Sequence, residues 1–382
     1  MTGSPRSLGR PARSDAGIEF VETSLEVRRD DLGTSRVTSR PARLDHGRVL
    51  LAVDEFALTA NNITYARLGE SAGYWRFFAA AEAGWGRIPA WGYATVIASD
   101  DAEIALGRQV YGFLPTSSHL VVEPARRRGD QFTDAAPHRA SLPPAYNAYR
   151  FVDPGTDPTT AHELRPLLAP VFMLSFLLDD LLAERDLHGA SWALITSASS
   201  KAAIGTAFLL RSRGVTTTGA TAAAHVDFVE SLGVYDEVLD YDSLDQLETA
   251  PTTLVDIAGD AEHRQRLAAH LGDRLVRSIV AGFTRTTGSQ MALDDTDGGE
   301  VFSAPQRIVE RTKQWGRTEF DERVERSLQR FSSWVHDWIE LIRTDGPAEV
   351  ERAYHRVRLG QVAPHQGMLL GLPGPAGPTT RP

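Results

Sequence analysis

Cysteine is missing altogether from the 382 residues. Its absence excludes disulfides, thiolate zinc sites, iron–sulfur clusters and thiol nucleophiles. Lysine is nearly missing too, since Lys201 and Lys313 are the only two among 40 basic residues and the rest are arginines. Where arginine supplies the ordinary surface charge, each compact, titratable ammonium stands out. A basic excess is also lacking: 40 Lys+Arg against 50 Asp+Glu leave a net charge of -10. A nucleic-acid-binding face needs the opposite balance to displace counterions, so no nucleic-acid partner is expected. Long apolar runs are scarce. The longest, Leu167 to Leu182, contains Pro170 and ends on Asp179-Asp180, short of the roughly 18 apolar residues a membrane span requires. Residues 1–17 are rich in Pro, Gly, Ser and Arg without an apolar secretory core, which reads as a disordered tail. A soluble, cytoplasmic protein is expected.

What is present is an ordinary globular composition, 42% hydrophobic and 24% charged, and a length that at about 150 residues per domain suggests two domains. From Ile18 to Pro124 short β-like runs alternate with Gly- and Pro-marked turns, as in Gly47–Val53, Tyr93–Ala98 and Leu120–Pro124. Residues 125–165 carry Pro at 137, 143, 144, 154 and 158 and read as a long surface excursion, with Arg126-Arg127-Arg128 a solvated loop. Leu164–Arg185 reads as a mostly buried helix. Beyond it, strands and helices alternate: strand 192–196, helix 201–213, strand 215–220, helix 225–232, strand 237–240, strand 253–257, helix 261–271, strand 274–282. Such alternation implies a doubly wound parallel sheet of Rossmann type, with its ligand at the carboxyl ends of the strands. Residues 301–372 read as helical and aromatic. Phe331, Trp334 and Trp338 fall at i, i+3 and i+7, the stripe of an amphipathic helix facing a core.

The turn Asn61-Asn62-Ile63-Thr64-Tyr65, the segment Gln109–Phe113 and the run Gly189–Asp240 resemble the medium-chain dehydrogenase/reductase superfamily, in its zinc-free quinone-oxidoreductase-like branch. The strings SSKAAIG (199–205), PTSSHLVVEP (115–124) and WGRIPAWG (85–92) are similar to an uncharacterised group within it, the DUF2855 family. The resemblance implies an α/β fold: a β-rich, GroES-like substrate domain over 18–165 and a dinucleotide-binding Rossmann domain over 166–300. A return segment over 301–372 would complete the substrate domain, followed by a flexible tail over 373–382. It also implies a homodimer.

Thr196–Gly205 lies where such a fold needs its phosphate loop, yet only Gly205 of the usual glycines is there, at the position suited to close packing of the helix. Ser197, Ser199 and Ser200 are small enough for a close approach and can cap helix donors or donate to phosphate oxygens. Lys201 falls in the first helical turn, where a positive charge opposes the helix dipole unless an anion is near. A phosphate, a solvent-exposed lysine and a catalytic acid or base are the three readings. At the end of the next strand, Thr221 and His225 stand where NAD binders place an acid. With no acid there, NADPH is favoured over NADH. Asp256, Gly259 and Gly282 close two further strands and are expected to border the cofactor.

For chemistry, the resemblance points to Asn62, Thr64 and Tyr65 as hydrogen-bond donors that polarise a carbonyl in place of zinc. His119 could protonate a carbanion or merely support a turn. Trp91, Tyr93 and Phe283 could wall a planar substrate or belong to the core. The expected activity is reduction of an activated double bond or carbonyl of a small organic molecule by NADPH. A non-redox lyase or isomerase on the same fold, and a non-catalytic nucleotide- or small-molecule-binding protein, stay open.

Overall fold

The computed structural model describes residues 17–152, 159–248, 250–281 and 299–374. Its first half is β-rich. Strands β1 (Ile18–Arg28) and β2 (Ser35–Leu44) form an antiparallel hairpin, and β3 (Val49–Leu58) leads into helix α1 (Ala60–Arg67). The short β4 (Trp85–Gly86) pairs with β1, and β5 (Pro89–Ser99), β6 (Gln109–Pro115) and β7 (His119–Val122) follow. Strands β8 (Pro124–Arg128), β9 (Gln131–Asp134) and β10 (Ala148–Val152) continue the sheet in the order β10-β9-β8 beyond β6. The surface excursion expected over 125–165 is therefore corrected, and Arg126–Arg128 belongs to a strand. A buried ion pair, Arg139 Nη1 to Asp134 at 3.2 Å, holds this polar stretch in place, together with the hydrogen bond from Arg139 to Tyr149 Oη. Charged residues that satisfy one another can occupy a core that their composition alone would exclude.

Helix α2 (Thr159–Glu184) runs straight through Pro166 and Pro170. It is long and apolar enough to cross a membrane by length and composition, which corrects the sequence estimate. Here it is a core helix, with Leu164, Leu168, Phe172, Leu177 and Leu178 fully buried. Proline costs a helix its N–H bond to the carbonyl four residues back. For Pro166 that carbonyl is His162 O, which the hydroxyl of Tyr93 satisfies from β5 at 2.9 Å.

The parallel sheet follows as read. Strands β11 (Trp192–Thr196), β12 (Thr216–Thr221), β13 (Glu237–Asp240), β14 (Thr252–Asp256), β15 (Leu275–Val280) and the short β16 (Glu300–Val301) lie in the order β13-β12-β11-β14-β15-β16, every pair parallel. Helices α3 (Lys201–Ser212), α4 (Val226–Ser231) and α5 (Ala261–Leu271) make the crossovers, with Gly214 and Gly233 in left-handed backbone at the exits of α3 and α4. The strand order reverses between β11 and β14. That switch point is where such sheets take their ligands.

Gly205 lies on α3 against α2. A Cβ there would stand 2.7 Å from Ser175 Oγ, 3.1 Å from Ser175 Cβ and 3.2 Å from a Phe172 ring carbon. The close contact is helix on helix. Gly205→Ala is expected to cost about 1–3 kcal/mol as the two helices are forced apart, read as a lowered urea midpoint with an unchanged slope.

The last segment, expected to be helical, mixes α6 (Ala304–Trp315), α7 (Arg317–His336) and α8 (Pro347–Arg358) with two strands, β17 (Glu340–Asp345) and β18 (Gln366–Gly371). Phe331, Leu328 and Phe320 of α7 are buried, and Phe331 stacks on Phe172 at 4.9 Å. The aromatic stripe is core. Asp180 takes Arg307 and Arg311 of α6 at 2.5 and 2.6 Å. Strand β18 pairs antiparallel with β3, returning the chain to the β-rich sheet.

Candidate functional site

A cleft of about 530 Å³ opens between the carboxyl edge of the parallel sheet and the β-rich half. That volume falls in the range that holds a small ligand or part of a cofactor. One wall is apolar, from Leu167, Pro170, Val171 and Leu174 of α2 with Val362 and Met368. Ile257 and Ala281, just past β14 and β15, form part of the lining. Among the described residues, Lys201 is the only lysine or arginine in the lining, and no carboxylate lines the cleft.

Ser199, Ser200, Lys201 and Ala202 line one side. Ser197, in left-handed backbone at φ 55, turns the chain sharply out of β11, and its N–H is taken by Tyr241 Oη at 2.7 Å. Ser200 caps α3 through its Oγ, which accepts from Ala203 N–H. Thr221 reaches the turn by donating to Ser199 Oγ at 3.1 Å. The first turn of a helix leaves backbone donors unpaired. Here the N–H groups of Ser199, Lys201 and Ala202 find no partner among the described residues, and His225 adds an imidazole to the same lining.

Lys201 answers its unfavourable dipole inside the chain. Its Nζ crosses the cleft and donates to the carbonyls of Gln366 at 2.9 Å and Pro364 at 3.2 Å. Removal from water pulls its pKa down to about 8.

The opposite side is built by α1. Thr59 and Asn62 form its capping box, and Asn62 Nδ2 donates to Pro89 O at 2.9 Å. Asn62 is thereby a buried anchor outside the lining, whereas Asn61, Thr64 and Tyr65 face the cleft. Tyr65 Oη accepts from Asn61 Nδ2 at 2.8 Å and from Trp91 Nε1 at 3.4 Å. With both lone pairs engaged, its proton goes to Tyr146, which in turn lies 3.2 Å from Tyr74 Oη. Burial raises the pKa of all three phenols, so each keeps its proton. Either of Tyr146 and Tyr74 can donate to the other, so the three hydroxyls leave one O–H over on one of this pair, both of which line the cleft. Tyr74 and Tyr146 escape a reading of sequence because they lie 72 residues apart.

Other expected residues lie elsewhere. Trp91 stacks on Tyr111 at 5.5 Å and lies behind the lining, against Tyr65 and Tyr146. Tyr93, 1% exposed, is the surrogate partner for α2 described above. His119 hydrogen-bonds Ser118 Oγ at 2.8 Å and packs on Phe20, away from the cleft, with burial lowering its pKa. Asp256 turns its carboxylate inward, taking Thr196 Oγ1 at 2.6 Å, Arg264 Nη1 at 2.7 Å and Gly259 N–H at 3.0 Å. Gly205 packs helices. Gly282 and Phe283 lie outside the described residues. Among those described, no group of three or more His, Asp or Glu side chains is arranged to hold a metal ion.

Residues 56–363 match the family described as "Protein of unknown function (DUF2855)". The chain belongs to this family. A search of curated proteins finds no match. Among solved structures, this DUF2855 protein is similar to CurA from Vibrio vulnificus in complex with NADPH, at 11% identity, with a TM-score of 0.58 over 94% of this chain and 100% of that one. It is similar also to a putative NADPH:quinone reductase from Mesorhizobium loti, at 11% identity and TM-score 0.57 over 92% and 98% of the two chains. A third is Etr1p in complex with NADP and crotonyl-CoA, at 9% identity and TM-score 0.55 over 93% and 100%. The DUF2855 chain thus has the medium-chain dehydrogenase/reductase fold, a Rossmann sheet joined to a GroES-like β-rich half.

Proposed function

We propose that the protein is an NADPH-linked oxidoreductase that reduces an activated double bond or carbonyl of a small organic substrate without zinc. The observation that carries this reading is the start of α3. Among the described residues, three N–H groups without a partner, of Ser199, Lys201 and Ala202, meet a cleft without a carboxylate at the switch point of a Rossmann-ordered sheet. Such a terminus suits a pyrophosphate, and the serines let it approach closely. At the end of β12 no acid faces the cleft. Asp240 spends its carboxylate on the N–H groups of Asp242 and Ser243 in its own turn, and Glu237 lies beside Thr218 Oγ1. A 2′-phosphate near Thr221 and His225 would therefore meet no repulsion, which favours NADPH over NADH.

Bound there, the nicotinamide would supply a hydride. The chain's own part is to position the substrate and meet the charge that develops on its oxygen. With Tyr146 donating to Tyr74, the O–H of Tyr74, polarised by the hydroxyls behind it, offers a neutral donor for that oxygen. The apolar wall from α2 excludes water.

Titration with NADPH, followed by nicotinamide fluorescence, tests the reading. Micromolar binding is expected, weaker for NADH. Ser199→Asp, which puts a negative charge where the helix dipole tolerates it but a phosphate does not, is expected to weaken NADPH about tenfold or more, a loss near 1.4 kcal/mol. Failure of both nucleotides to bind at millimolar concentration overturns the proposal and returns the cleft to non-redox ligands.

A further inference from the structure

Lys201 is the one cleft group whose chemistry the proposed reduction leaves unused. We propose that its ε-amine is a nucleophile that captures aldehydes and ketones in the cleft as imines. The geometry of its two hydrogen bonds carries the argument. A neutral amine has two N–H donors and one lone pair, whereas an ammonium has three donors and none.

The cleft offers Nζ two acceptors, the carbonyls of Gln366 and Pro364. They satisfy the neutral amine completely and hold its N–H bonds toward one side, leaving the lone pair free on a side chain that lines the cleft. The ammonium would carry a third N–H with no acceptor among the described residues.

Among the described residues, no counter-charge in the lining favours the ammonium either. The titratable side chains that line the cleft with Lys201 are His225, Tyr65, Tyr74 and Tyr146, and none of them is an anion: the three phenols are held protonated. A pKa of about 8 agrees with this balance. At pH 7 such an amine is free in about one molecule in ten, against about one in 2,500 for an ordinary lysine with a pKa near 10.4. Desolvation beside an apolar wall is a recognised way to activate a lysine toward carbonyls.

The reaction balances within the site. The amine nitrogen attacks the carbonyl carbon, forming C–N and passing its proton to the oxygen. Loss of the second N–H proton with the hydroxyl as water leaves C=N, and no oxidant or reductant takes part. The substrate class is a small, largely apolar aldehyde or ketone able to lie along Leu167, Pro170 and Val171.

The sequence supplies its own control, since Lys313 is the only other lysine. The full-length protein, with no nucleotide added, is incubated with benzaldehyde, quenched with sodium borohydride and mapped by peptide mass spectrometry. Reductive labelling of Lys201 is expected at least tenfold above Lys313 at pH 7, rising to a plateau through about pH 8. Lys201→Arg, which keeps donors for the two carbonyls, is expected to abolish that adduct alone. Labelling of Lys201 at or below the level of Lys313 overturns the proposal. Because no nucleotide is present, failure here is distinct from failure of the reductase reading.

Discussion

Asp256→Ala is expected to lower the stability of the protein by about 3–5 kcal/mol, the usual cost of stranding one member of a buried ion pair. The carboxylate is 1% exposed and its partner Arg264 8%, with 2.7 Å between them. Without Asp256, the guanidinium is left charged in the core, with its Nε already lacking a partner. The damage spreads to the cleft. Thr196 Oγ1, which donates to Asp256, also accepts from Ile257 N–H at 2.9 Å and Ala258 N–H at 3.0 Å, so one carboxylate organises the turn on which a cleft residue sits. Urea denaturation measures the loss, and Asp256→Ala combined with Arg264→Met is expected to recover part of it. A loss below about 1 kcal/mol in the single variant would show that the pair does not bear on stability.

Tyr74→Phe is expected to reduce kcat of the proposed reductase by about 10²–10³, the effect of deleting one donor to a developing oxyanion. NADPH affinity should stay unchanged, because the phenol stands on the side of the cleft opposite α3. The substitution removes a single hydrogen bond, to Tyr146 at 3.2 Å, so the fold should lose only about 1 kcal/mol. Tyr146→Phe breaks the chain one link earlier, and its effect should be smaller because Tyr74 keeps its proton. Activity of Tyr74→Phe within twofold of the wild type would remove Tyr74 from the reaction.

The parallel sheet is the part most legible in sequence. Strands β11 and β14 hold short apolar runs, Ala193–Ile195 and Leu254-Val255, and glycines mark the exits of two of its crossover helices, so 192–280 can be read almost element by element. In the C-terminal segment the apolar run Met368-Leu369-Leu370 does not say which strand it pairs with. Gln366–Gly371 is buried only because β3 and β17 flank it, and nothing local announces a partner from the other end of the chain. The stretch 131–149 misleads for a different reason: its prolines and arginine suggest solvent, while the buried Arg139–Asp134 pair and Tyr149 anchor it to the core.

At the site, the error in the Asn61–Tyr65 segment is one of periodicity. Read as a turn, either asparagine could face the ligand. In the helix that forms, Asn61, Thr64 and Tyr65 share a face at i, i+3 and i+4, and Asn62 is rotated off it into the cap. For Lys201 the dipole mismatch is a sound signal of an unusual lysine, but the partners that answer it are carbonyls more than 160 positions away.

The pairing of Ala57 with Leu369 also orders how the molecule comes into being. On the ribosome the parallel sheet emerges whole, with its local βα connections, and can close early. The edge of β3 must wait for β18, made far later than β3 itself, since contacts distant in sequence form late. Val350, Tyr354 and Val357 of α8, buried in the same core as β3 and β5, arrive just before them. Pro364 and Gln366, the partners of Lys201, belong to this late group. A nascent chain stalled before residue 366 would hold a finished Rossmann half beside an open β-rich half, with its single cleft lysine untethered.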